Sequence, residues 1–325
     1  MREGCQPLIE YHWNAEFTIL GMELNGSYHH DGITLESDPS RQGVKGHYRF
    51  TTASEDVNAL WTALDFIDGF LNVLITGANL GFYSSFPKIT DLKLDCENSQ
   101  EVDKAGKRIP QYRRIGTDEG SQAISIDEPT LQSYLNSIEK VRATGQQYDQ
   151  IATQFRAGVS ASDEYAKFIG LCRAFNAFYE FLIPDPHLRD VEKIKRFPRQ
   201  AFDEKTAVGI IAFYNKPNIT GSGEMQFRLM TLGYVNVLEM LSKAGLTSEK
   251  GTIDYSAELT TALASGEPFE ILASSLLCLY SLRNSVMHGM KYSYQEIDFL
   301  YLCSLLLQEV IINALNIHFI RKVAT

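Results

Sequence analysis

Apolar positions change their spacing partway along the chain. Over Phe17-Thr18-Ile19-Leu20-Gly21-Met22-Glu23-Leu24 they partly alternate, as a half-buried strand requires, and Asn25-Gly26 then marks a turn. Gly32-Ile33-Thr34-Leu35-Glu36 alternates again, and Gly46 to Thr52 is a third strand candidate. Ser54-Glu55-Asp56 opens a helix with acidic residues in its first turn; Leu60, Leu64, Ile67, Leu71 and Leu74 give it one apolar face as far as Gly77. Residues 82–94 return to strand-like composition, broken by Pro87, and 123–126 can form a short strand. The pattern predicts a β-rich α+β domain over 1–125, with one long helix and a polar linker at its end.

From Pro129 onward the period becomes helical. Helices are expected over 129–155, 163–183, 203–214, 224–243, 254–264, 268–287 and 294–321. The second has the stripe Phe168, Leu171, Phe175, Phe178 and Leu182, and Pro184-Asp185-Pro186 ends it. In the fourth the stripe is Phe227, Met230, Val235, Leu238 and Leu241, stopped by Gly245. Four of these segments are long (163–183, 224–243, 268–287 and 294–321) and fit a helical bundle over 126–325. The expected fold class is α+β: a β-rich domain followed by an all-helical one.

Charge narrows the function. The 325-residue chain has a formal net charge of -10, so electrostatics alone do not make it a general nucleic-acid binder. Action on RNA would need a local basic surface. Two basic runs exist: Lys104, Lys107, Arg108, Arg113 and Arg114 in the linker, and Arg189, Lys193, Lys195, Arg196 and Arg199 after the Pro184–Pro186 stop. The five cysteines are odd in number and lack metal-like spacing, which reads as reduced core thiols in a cytoplasmic protein. His29 and His30 beside Asp31-Gly32 admit a metal, but with no third ligand close in sequence they fit a polar hairpin tip better. No metal or cofactor is expected. The N-terminus has no apolar signal core, and Asp298, Glu309, Asn313 and Asn316 interrupt the last apolar helix, so no membrane span or membrane partner is expected either.

One stretch departs from its own pattern. Leu272, Leu276 and Leu279 make an apolar stripe, and the next place on it is taken by Arg283. A buried guanidinium needs an anionic partner, a ligand or a wet cleft. His288 follows five residues later, then Gly289, a common helix-ending residue.

Arg283-Asn284-Ser285-Val286-Met287-His288 resembles the Arg, polar residue, three variable residues, His motif of the HEPN superfamily. With Leu279-Tyr280-Ser281-Leu282 before it and Gly289 after it, the stretch looks most like the ApeA-like HEPN branch. Lys167 to Glu180, with its Ala174-Phe175-Asn176-Ala177, resembles the earlier bundle helix of such proteins. The likeness covers about residues 150–325. It implies a metal-independent endoribonuclease, often a toxin or an element of antiphage defence. It further implies an RNA substrate, a homodimer with a composite active site, and an antitoxin or regulatory partner.

The residues fit that chemistry. RNA carries its own nucleophile, the 2'-hydroxyl. A histidine titrating near neutrality serves as base or acid, and a fixed guanidinium holds phosphate oxygens. On a continuous helix, positions five apart point about 140° away from each other. Arg283 and His288 therefore converge only if the helix unwinds near Gly289 or a second subunit contributes. Each residue also has a structural alternative. Arg283 can pair with Glu180 or Glu309; His288 can cap its helix; Asn284 can cap backbone instead of orienting phosphate. Asn176 can be a satisfied amide, and Lys291 and Tyr292 can form a solvated turn instead of contacting RNA.

Overall fold

The structure, a computed structural model, describes residues 10–30, 32–40, 43–52, 67, 88–96, 111–112, 124–126, 129, 146–159, 161, 163–215, 224–248, 250–287 and 294–321. Several expectations lie outside these residues. They are the helix over 54–77 (except Ile67, helical and buried), the basic linker run, the first part of the 129–155 helix, and His288, Lys291 and Tyr292. The fold class is α+β. The chain divides into two compact units, one of residues 1–75 and 83–139 and the other of residues 76–82 and 140–325.

In the N-terminal unit the strands are β1 (Tyr11–Leu20), β2 (Met22–Leu24), β3 (Ser27–His30), β4 (Ile33–Asp38), β5 (Gly43–Thr52), β6 (Lys88–Cys96), β7 (Gln111–Tyr112) and β8 (Ile124–Ile126). A six-stranded antiparallel sheet runs in the order β3-β4-β5-β1-β6-β7. β1 lies within it and alternates, burying Trp13, Ala15, Phe17 and Ile19, except that Thr18 is buried too, beside a register shift in the pairing with β6. The strand expected over 17–24 is two strands. Gly21 takes φ 78° and Met22–Leu24 leaves to pair in parallel with β8. His29 and His30 do lie at a hairpin tip, where His29 Nδ1 is 3.1 Å from Thr34 Oγ1. Opposite Phe17, a Cβ on Gly46 would come within 2.2 Å of the ring, so that position admits only glycine without a shift of the ring.

The C-terminal unit is helical: α1 (Gln146–Val159), α2 (Glu164–Leu182), α3 (Asp190–Ala201), α4 (Glu204–Asn215), α5 (Glu224–Leu232), α6 (Val237–Lys243), α7 (Tyr255–Ser265), α8 (Pro268–Met287) and α9 (Tyr294–Leu315), extended by a π-helical turn, Asn316–Arg321. Asp163 caps α2 by accepting from Ala166 N. α8 is buried from Ile271 through Leu279 on every face and is partly exposed in its first turn and again in its last two.

The single helix expected over 224–243 does not form. Gly233 adopts φ 77° after Leu232, and Asn236 starts a new helix by accepting from Glu239 N at 2.8 Å. Glu239 in turn accepts from Val235 N at 2.9 Å. These reciprocal bonds cap a fresh N-terminus better than a continuing helix would. The stripe changes accordingly: Phe227 (71% exposed), Met230 and Val235 face outward, while Leu229, Val237, Leu238, Met240 and Leu241 are buried.

α1 and α2 cross at two glycines. A Cβ on Gly170 would lie 2.5 Å from the Gly158 Cα, so the backbones approach as only glycine allows. Glu296–Phe319 is long and apolar enough to cross a membrane, but most of it is buried among the other helices, where its apolar side chains form core.

Candidate functional site

α8 brings Arg283 and Asn284 out of the core at its C-terminal end, both half-buried. Arg283 Nη1 donates to Asn284 Oδ1 at 2.9 Å. Among the described residues no carboxylate lies within ion-pairing distance of Arg283. Glu180 is taken by Lys193, whose Nζ lies 2.5 Å from its Oε2, and Glu309 accepts from Asn313 Nδ2 at 2.7 Å. Neither structural pairing expected for Arg283 is therefore formed.

What holds this end of α8 is a chain of polar groups. Asp190, the first residue of α3, accepts from the Tyr280 hydroxyl at 3.2 Å. The Tyr179 hydroxyl of α2 reaches the same carboxylate. The Asn284 amide bonds the Tyr280 hydroxyl and connects the chain to Arg283. Burial first, then the Asp190 charge, pushes Tyr179 up from its usual range. Burial likewise raises Tyr280, against the Asn284 hydrogen bond. Both phenols stay protonated and donate to Asp190 across the neutral range.

The Arg283 charge bears on the Cys172 thiol of α2, which burial pushes up much more strongly than Arg283 lowers it. The guanidinium thus lies on the α2 side of α8. Asn176 falls between Cys172 and Tyr179 on that face of α2, half-buried, with no hydrogen bond to its side chain among the described residues. Asp190, Tyr179 and Tyr280 were not foreseen as site residues, although Tyr280 lies three positions before Arg283.

A cavity of about 920 Å³ opens on another face of α8. Tyr280, Ser281, Leu282, Asn284 and Ser285 line it, a set centred on Ser281. At about 100° per residue, Arg283 points almost directly away from that centre. The opposite wall is the loop after α6. Thr247 and Asp254 bridge its two ends, and Ser281 Oγ donates to Thr247 O at 2.5 Å to dock it on α8. Tyr280 and Asn284 belong to both the Arg283 cluster and the cavity.

The basic run after Pro186 folds as α3 and is largely neutralised. Lys193 pairs with Glu180, Lys195 with Glu258, and Arg199 with Glu267 and Glu270. Among the described residues no group of three His, Cys, Asp or Glu is placed to hold a metal ion. No family model, no characterised protein and no solved structure matches this chain.

Proposed function

We propose that the chain is a HEPN-type, metal-independent endoribonuclease that acts in the cytoplasm as a homodimer. The observation that carries this reading is the Arg283 guanidinium, half-buried and oriented by Asn284, with no carboxylate beside it among the described residues. A cation held in place without an internal counter-ion is suited to a phosphate. His288 takes the proton from the 2'-hydroxyl or gives one to the leaving oxygen, and the partner copy supplies the other group. The 2'-oxygen bonds to phosphorus as the bond from phosphorus to the 5'-oxygen breaks. The products are a 2',3'-cyclic phosphate and a 5'-hydroxyl. Asn284 positions Arg283, and Asn176, Lys291 and Tyr292 are assigned to substrate contact. A toxin or antiphage role, with an antitoxin or regulatory partner, follows from the same family resemblance. The test is RNA cleavage in EDTA by wild type, Arg283→Ala and His288→Ala. Activity only in the wild type supports the reading; full activity in both variants rejects it.

One observation favours a second reading, a catalytically silent HEPN module that binds a partner or nucleotide as a scaffold or sensor. The cavity and Arg283 lie on different faces of α8. Ligand binding without RNA cleavage by a well-folded wild type selects that reading.

A further inference from the structure

We infer that the cavity between α8 and the loop after α6 binds an anionic amphiphile, a hydrocarbon chain bearing one carboxylate or phosphate. The inference rests on this cavity and holds whether or not the Arg283 face cleaves RNA. The lining sorts by chemistry with depth. Tyr255, Leu282 and Leu300 are buried and form the floor, and Val191, Leu246 and Phe299 are half-buried in the walls. The three cations of the lining, Arg189, Lys243 and Lys250, are all exposed and so stand at the mouth, against one half-buried carboxylate, Glu296. Ile253, 37% exposed, carries the apolar surface out towards them. In a chain of net charge -10, this positive mouth is a local feature.

The polar groups divide in the same way. α8 turns Tyr280, Ser281, Asn284 and Ser285 to the cavity, and three of them donate within the protein: Tyr280 to Asp190 at 3.2 Å, Ser281 to Thr247 O at 2.5 Å and Ser285 to Ser281 O at 3.2 Å. Asn284 spends its oxygen on Arg283 and one amide hydrogen on Tyr280, so a single hydrogen remains. That wall has little left with which to read a polar ring, and it accepts hydrocarbon at small cost. The loop is different. Ser248 Oγ and Thr252 Oγ1 are 3.3 Å apart; one hydrogen serves the bond between them, and the other is left to donate to an anion beside Lys250. Lys250 has no ion pair among the described residues, and the Arg189–Glu192 and Lys243–Glu239 pairs are solvent-exposed and weak enough to yield to a ligand anion. A volume of about 920 Å³ is at the upper end of small-molecule sites and admits an extended chain. The walls are preformed, since the Thr247–Asp254 bridge and the Ser281 bond fix the loop without a ligand.

The test is calorimetric titration of the full-length protein with decanoate, 1-decanol, acetate and adenosine 5'-monophosphate at about pH 7.5, where decanoate is ionised. Decanoate is expected to bind about tenfold more tightly than 1-decanol, which lacks the charge, and at least about a hundredfold more tightly than acetate, which lacks the chain. Lys250→Glu and Ile253→Asn, both exposed, each weaken decanoate binding about tenfold while the far-ultraviolet spectrum stays unchanged. Acetate, 1-decanol or adenosine monophosphate binding as tightly as decanoate overturns the inference. So does equal decanoate affinity in both variants, or no binding at millimolar decanoate. Decyl phosphate identifies the head group. Equal or tighter binding than decanoate supports the site as one for a phosphate-headed lipid, and weaker binding supports it as one for a free fatty acid. RNA cleavage without added ligand is a separate readout, so failure here and failure of the nuclease reading are distinguishable.

Discussion

Glu309 shows how much a single buried carboxyl can contribute to pH dependence. Its Oε2 is buried without a partner, and burial holds its pKa above the ordinary carboxylate range despite the Asn313 hydrogen bond. A carboxyl raised in the folded state costs nothing below its unfolded pKa of about 4.3, and it destabilises increasingly as pH rises through its folded value. Glu309→Gln is therefore expected to raise the urea midpoint at pH 8, with the gain shrinking as pH approaches 4.5. A gain independent of pH would contradict this account. Tyr280→Phe removes the hydroxyl that joins Asp190 to Asn284 and is expected to lower the unfolding free energy by about 1 kcal/mol. In the nuclease assay it should lower kcat more than it raises KM, because it loosens Arg283 without touching substrate. Arg283 could be picked out in the sequence because it breaks a leucine stripe. Its surroundings could not: Asp190 lies about ninety positions away, and nothing in the spacing reveals that Glu180 and Glu309 are bonded elsewhere.

Among the elements, the α1–α2 crossing gives the clearest prediction. Glycine inside a helix normally costs about 1 kcal/mol relative to alanine, so propensity alone predicts that Gly170→Ala stabilises α2. The backbone of Gly158 stands where that methyl would go. Overpacking is the larger effect, and a net loss of about 2 kcal/mol is expected in a denaturation experiment. An alanine variant at least as stable as the wild type would show that the two helices can separate freely. Most helices after residue 145 were legible because their apolar period and stops are strong. Helix 224–243 was misread because Phe227, Met230 and Val235 imitate a buried face. The signals that break it, Gly233 and the Asn236-Val237-Leu238-Glu239 cap, were present in the sequence and outweigh that periodicity. The burial of α8 on every face from Ile271 to Leu279 could not be read from a stripe, since a segment enclosed on all sides has no polar face to define one.

For the molecule as a whole, the two units each have their own core, and the α+β class follows from the change of apolar period along the chain. The net charge argues against a broad nucleic-acid surface; in α3, Lys193, Lys195 and Arg199 pair with carboxylates. If the composite-site reading is right, the protein sediments as a dimer at working concentrations, and a monomer that retains full nuclease activity would exclude a shared site. The central claim is that Arg283 holds a scissile RNA phosphate without help from a metal. It is tested most directly by end-group analysis of RNA incubated with the full-length protein in EDTA. The account predicts 2',3'-cyclic phosphate and 5'-hydroxyl ends with the wild type and their absence with Arg283→Ala. Ends bearing 3'-hydroxyl and 5'-phosphate, or unchanged cleavage by Arg283→Ala, would contradict it.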